Sequence, residues 1–174
     1  MVPTFTTRRL LLQPLGMADA PEIQLQFPHW QIVRHLDEVV PWPYPQNGAA
    51  FFCQQVALPA MQQGVAFHWS IRLHQASAPL IGVISLTLTG ESHRGFWIGL
   101  PWQGLGYVTE ACEPVTAYWF DDLQQPVLRI TKSAGNVASR RVSLRQGMRV
   151  VRTFTRRFVG GPEPAGLWEL TRHE

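Results

Sequence analysis

Residues 97–111 read WIGLPWQGLGYVTEA. The opening, together with Arg94, Gly95 and Phe96 before it, has the aromatic and β-branched content of a strand. From Gly104 the periodicity changes. Leu105, Val108, Ala111 or Cys112, Val115, and Tyr118 or Trp119 recur at three- and four-residue steps, which makes an apolar stripe on a helix reaching Asp122. Gly104 and Gly106 lie where the strand turns into that helix. Glycines there let a backbone approach a ligand closely, and the free N–H groups of the first turn, with the positive end of the helix, favour a phosphate-bearing group. A dinucleotide fingerprint needs a third glycine where Thr109 stands, and no Gly-Lys-Ser or Gly-Lys-Thr is present, so both common nucleotide motifs are disfavoured. Pro114 should bend the helix or cost roughly 3 kcal/mol.

On the N-terminal side, residues 8–14 (RRLLLQP) read as an opening strand stopped by Pro14. Ala18 to Gln26 suggests a short helix with Asp19 as N-cap and Pro21 in its first turn. From Pro28 to Asn47, Trp30, Trp42 and Tyr44 sit among four prolines, a segment that reads both as a packed loop and as a wall facing substrate. Asn47 is expected to cap a helix running to about Gln63 and stopped by Gly64. Residues 65–74, 79–89 and 94–100 predict an antiparallel meander. Beyond the long helix come a strand at 127–133, a helix from Val137 to Gln146, and closing strands near 148–158 and 166–172. The expected class is α/β: a mixed, mostly antiparallel sheet with one helical crossover.

The 174 residues, 45% apolar and 16% charged, predict one ordered domain spanning 1–174. No apolar run approaches the ~20 residues that cross a bilayer, and residues 1–12 do not read as a signal peptide. Cys53 and Cys112 have neither metal spacing nor a disulfide framework and fall on helical stripes, so a reducing cytoplasm fits, with both as small apolar side chains. The net charge is +3, and seven arginines lie between Arg140 and Arg157. That stripe reads as a solvated basic face, as attraction for an anionic cofactor or acidic substrate, or, least well supported, as a nucleic-acid contact.

Three segments resemble one family. WQGLGYVTEA is similar to the acetyl-CoA pyrophosphate loop of GNAT acetyltransferases, especially the ribosomal-protein N-terminal (RimJ/RimL-like) branch. Asn136-Val-Ala-Ser139-Arg-Arg-Val142 followed by Gly147 is similar to that branch's N-x-x-S-x-R-V segment, and Thr7, Arg9, Leu10 and Leu12 to its T-x-R-L-x-L opening strand. Two positions depart from the pattern: Pro101 stands where Gln or Arg is usual, and Met148 where Phe is usual.

The resemblance implies the GNAT fold, whose central strands splay to admit acetyl-CoA as cosubstrate, and transfer of acetyl to a primary amine. The acceptor would be a protein N-terminus or a small amine, and the protein a monomer or homodimer. It implies that the strand through Ile98 and Gly99 pairs with the pantetheine arm and that the Ile98 N–H stabilises the oxyanion. Backbone amides of Gln103, Gly104, Leu105, Gly106 and Tyr107 would hold the pyrophosphate, Asn136 the pantetheine arm, and Arg141, with Arg140 beside it, the adenosine phosphates. Ser139 would donate a proton towards sulfur. Glu110 reads as a helix-dipole partner rather than a catalytic acid. No general base stands out, because Arg149 to Phe158 contains no acid; His68, His29, Glu38 and Glu91 remain, as does positioning alone with a water relay. A non-catalytic acyl-CoA-binding module and a ribosome-associated protein are the alternatives.

Overall fold

The computed structural model describes residues 1–75 and 77–172. Two antiparallel sheets divide the chain. The first has five strands in sequence order: β1 (Phe5–Thr6), β2 (Leu10–Pro14), β3 (Ala66–Leu73), β4 (Leu80–Thr87) and β5 (Arg94–Ile98). The second contains β6 (Val127–Ser133), β7 (Arg149–Phe158) and β8 (Gly161–Thr171), with β8 in the middle. The predicted meander is β3–β5, and the closing hairpin begins five residues earlier on its return strand than the sequence suggested, at Gly161.

Between β2 and β3 run α1 (Ala20–Gln26), the short α2 (Trp30–Val33), and a continuous helix made of α3 (Gly48–Phe51), a π-helical stretch (Phe52–Ala57) and α4 (Leu58–Gln62). The widened turn has a local cause. Pro59 has no N–H to close a normal turn, and the Leu58 N–H reaches back five residues to Cys53 O. Gly64 ends this helix in the left-handed region (φ +70°). Neither expected N-cap uses its side chain to cap: Asn47 makes no such bond, and the Asp19 carboxylate instead accepts from Gly16 N–H and pairs with Arg72.

The crossover from β5 to β6 is α5 (Tyr107–Ala117), prolonged by a π-helical turn (Tyr118–Asp122). Pro114 is accommodated inside α5, and the irregularity appears just beyond it, where the Leu123 N–H bonds Tyr118 O. α5 packs its stripe, Ala111, Cys112, Val115 and Trp119, onto β2–β4 residues including Leu12, Trp69 and Ile84. Trp69 is fully buried among Phe5, Phe67 and Tyr118, with its indole N–H donated to Pro3 O at 2.7 Å. A second core on the other face joins α1, α2 and the long helix to Leu80 and Val83 of β4. The last helix, α6 (Val137–Arg145), connects β6 to β7.

Among the described residues, the backbones of the two sheets are tied together near the start of β5. His93 N–H donates to Arg129 O at 2.7 Å, and Thr131 N–H to Ser92 Oγ at 3.0 Å. Beyond these bonds β5 and β6 form no ladder. The gap that opens between them positions the site.

Candidate active site

A cleft of about 590 Å³ occupies this gap. One wall is the free edge of β5. Gly99 N–H bonds Ile81 O on the β4 side, so strand alternation turns the backbone groups of Ile98 towards the cleft. Gln103 Nε2 donates to Ile98 O at 3.1 Å and leaves the Ile98 N–H on that open edge. β5 approaches β4 closely because Gly82 has no Cβ: one there would stand 2.4 Å from Trp97 O.

The floor at one end is the turn into α5. Gly104 (φ +75°) and Gly106 (φ +81°, the residue before the helix) both take the left-handed conformation. The turn is braced from the far end of the chain. Glu110 accepts from Thr7 Oγ1 (2.6 Å), Arg9 N–H (2.7 Å) and Arg9 Nε (2.6 Å), while Arg9 Nη1 holds Leu105 O at 3.0 Å and its guanidinium lies over the Tyr107 ring. Burial raises the Glu110 pKa, but the bonds from Thr7 and Arg9 outweigh it and leave the carboxyl below its ordinary value. Two of the three sequence segments therefore meet in one ion pair, with Glu110 structural as expected.

The opposite wall is α6. The Asn136 side chain caps it by accepting from Ser139 N–H at 3.2 Å, and no protein group among the described residues takes its amide NH₂. Ser139 lines the cleft from a buried position. Arg141 and Arg145, one turn apart, also line it. Arg140 does not, because its guanidinium bonds Ala134 O. Much of the remaining arginine stripe is paired with acids: Arg152 with Glu91, Arg156 with Asp37, and Arg157 with Glu38.

Of the expected site residues, Ile98, Gln103, Gly104, Gly106, Tyr107, Asn136, Ser139 and Arg141 surround the one cleft. Gly99 and Leu105 lie beside it: Gly99 packs against Trp102, and Leu105 is exposed. None of the four candidate bases lines it. His68 is half-buried on β3 against Phe52, His29 precedes α2, and Glu38 and Glu91 are held in surface ion pairs.

Sequence reading missed His35, which lines the cleft, and Lys132, which lies behind its wall against Ser139. His35, just after α2, places Nδ1 at 3.3 Å from Ser133 Oγ and 3.4 Å from Glu163 Oε1. The acid is on the return strand β8, where a search confined to β7 would not find it. Lys132 on β6 donates from Nζ to Ser139 Oγ at 2.5 Å. A second cavity of about 270 Å³, lined by Trp30, Arg34, His35, Gly160, Gly161, Pro162 and Glu163, adjoins the cleft at Arg34 and His35.

The parts fit a long ligand with phosphate groups at one end and a polar arm laid along the strand edge. They comprise a glycine turn of left-handed backbone at a helix N-terminus, a free strand edge, an unused side-chain amide and two arginines on one helix face.

Comparison with known proteins agrees with this geometry. The family described as "Acetyltransferase (GNAT) domain" matches residues 9–149. The "Putative ribosomal N-acetyltransferase YdaF" of Bacillus subtilis (strain 168) is 35% identical over 72 residues, a stretch covering 39% of this chain and 39% of that protein. Among solved structures, the ribosomal-protein-S5-alanine acetyltransferase of Vibrio fischeri superposes with a TM-score of 0.82 at 14% identity, over 99% of this chain and 98% of that one. RimL, a ribosomal L7/L12 α-N-protein acetyltransferase in complex with coenzyme A, gives 0.81 at 16% identity, over 97% and 98%. At these identities the structural likeness is one of fold.

Proposed function

We propose that this chain, which belongs to the GNAT acetyltransferase family, is an acyltransferase that moves acetyl from acetyl-CoA directly to the primary amine of a peptide N-terminus. The observation that carries this reading is the pairing, across one cleft, of an open-edge N–H at Ile98 with a hydroxyl at Ser139. Acetyl-CoA supplies the acetyl group, already activated as a thioester. The Ile98 N–H receives the charge that builds on the carbonyl oxygen, an effect worth about 3 kcal/mol for one such donor. The amides of the glycine turn from Gln103 to Tyr107 hold the pyrophosphate, with the α5 dipole behind them. Asn136 NH₂ takes a polar group of the pantetheine arm, and Arg141 with Arg145 meets the adenosine phosphates. Ser139 donates its proton to sulfur as the C–S bond breaks.

The acceptor enters from the side of the second cavity. His35, held between Ser133 and Glu163, is placed to take the amine proton, and the Glu163 carboxylate suits a cationic amine before it loses that proton. Space beyond His35 favours a peptide over a small amine, and Trp30 and Trp42, whose rings are 5.5 Å apart, form part of the adjacent aromatic segment. The names of the relatives point to ribosomal proteins as acceptors, which agrees with a peptide terminus.

The test is thiol release from acetyl-CoA with peptides of varied first residue, the same peptides blocked at the N-terminus, and small amines. Turnover is expected only with free peptide termini. Ser139→Ala should lower kcat by about 10²-fold while acetyl-CoA affinity is kept. Binding of acetyl-CoA without turnover on any amine would favour the non-catalytic module.

A further inference from the structure

The sequence contains a single lysine, Lys132. It is only 5% exposed, behind the cleft-lining Ser139 rather than on the surface where lysines belong. Its Nζ donates to Ser139 Oγ and lies 5.0 Å from the centre of the Phe96 ring. No carboxylate among the described residues pairs with it. The charged and titratable groups facing it are the buried Arg94 guanidinium of β5, held by Thr116 and Gln146, and the Cys112 thiol of α5; α6 presents the Ser139 hydroxyl, and β8 presents Gly166 as its strand partner. A lone ammonium beside another cation is a costly way to fill a core.

We propose that Lys132 is the positioning residue for Ser139, aiming its hydroxyl proton into the cleft and replacing that proton after it is given away. This rests on the acetyl-transfer reading above.

An ammonium has three donors and no acceptor. While Lys132 is charged, a lone pair of Ser139 Oγ receives an N–H, so the hydroxyl proton must point elsewhere. A neutral Lys132 amine has a lone pair that takes the hydroxyl proton and withdraws it from the cleft. The charge on Lys132 thereby sets whether Ser139 is a donor towards sulfur. In the full step the acceptor nitrogen forms the C–N bond, the C–S bond breaks, and its electron pair stays on sulfur. Sulfur takes the Ser139 proton, and Oγ takes one from Lys132 Nζ, leaving a neutral amine. The proton lost by the acceptor nitrogen leaves through His35 to solvent. Lys132 regains its own from solvent as the products depart. Burial first, and Arg94 second, lower its pKa from 10.5 to about 7, which makes this exchange accessible near neutrality.

The experiment uses the full chain with lysine labelled with carbon-13 at Cε, so that one side-chain signal reports Lys132. In the absence of acetyl-CoA that signal should titrate near pH 7. In turnover with a peptide acceptor, kcat should fall as pH rises through the same range. Lys132→Met should lose that falling limb and lower kcat by about ten- to a hundredfold. Lys132→Arg, permanently charged, should also lose the limb but recover part of the rate. A signal that titrates only above pH 9 overturns the proposal, as does a Lys132→Met enzyme with unchanged kcat and pH profile. If Lys132→Met does not fold, the wild-type titration and the Lys132→Arg profile decide. A wild type inactive on every amine overturns the transfer reading and this proposal together; an active wild type with an indifferent Lys132 overturns this one alone.

Discussion

His68 has a buried Nδ1 that bonds nothing among the described residues and a ring packed edge-on against Phe52. Burial lowers its pKa from 6.5 to about 4. As pH falls from 6.5 towards 4, the unfolded chain takes up a proton that the folded one refuses. Stability should therefore be lost progressively through that window, by roughly 3 kcal/mol at its lower end. Urea unfolding at pH 4.5 and 7 should show the difference, and His68→Leu should remove most of it. Lys132 acts in the same direction at higher pH. With a folded value of about 7 against 10.5, the folded state holds fewer protons than the unfolded one between those limits, so stability rises with pH across them. A net gain in stability from pH 7 to 9 in the wild type, absent in Lys132→Met, is the expected result.

Among the elements, β5 carries the most consequence per residue. Its distance from β4 is set by Gly82, and an added methyl there would meet Trp97 O at 2.4 Å and Ile98 Cα at 3.1 Å. Because the clash is with backbone, β5 must move. Gly82→Ala should reduce kcat/KM at least tenfold, since displacement of a reacting group by about 1 Å can cost 10²-fold. Gly64→Ala, strained at a helix end where nothing crowds a methyl, should cost about 1 kcal/mol of stability and leave turnover unchanged. This contrast also explains what could be read in the sequence. That Gly104, Gly106, Asn136 and Ser139 line the cleft was legible, the glycines from a local strand-to-helix turn and the other two from the resemblance of the N-x-x-S segment. Most helices and strands were legible from periodicity; β1 and the four-residue α2 were not, being too short to show a period, nor were the π-helical stretches, which reflect how the chain absorbs Pro59 and Pro114. His35, Glu163 and Lys132 were not legible as a site. Their importance comes from the splay of two sheets, and within TKS at 131–133 a lysine on a strand reads as a solvated position.

At the scale of the whole molecule, the two sheets share few direct backbone bonds, at one end of the gap, and are otherwise joined through α5 and the core it covers. A ligand touching β5, α5 and α6 at once ties them together. Coenzyme A at 100 times its dissociation constant should add about 2.7 kcal/mol, which for a protein of this size is a rise in Tm of roughly 5–11 °C. Scanning calorimetry with and without coenzyme A checks this, and a shift below 2 °C would mean that the sheets are not bridged. The distribution of nucleophiles carries a further consequence. Fourteen of the fifteen basic side chains are arginine, the one lysine is buried, and both thiols are buried. Guanidinium groups stay protonated and do not attack acyl donors. A protein proposed to handle a reactive thioester thus presents to solvent, among the described residues, no amine or thiol side chain that the same reagent would modify spontaneously. On the acetyl-transfer reading, the described surface is chemically inert to its own cosubstrate, and amine-directed labels meet no exposed lysine on it.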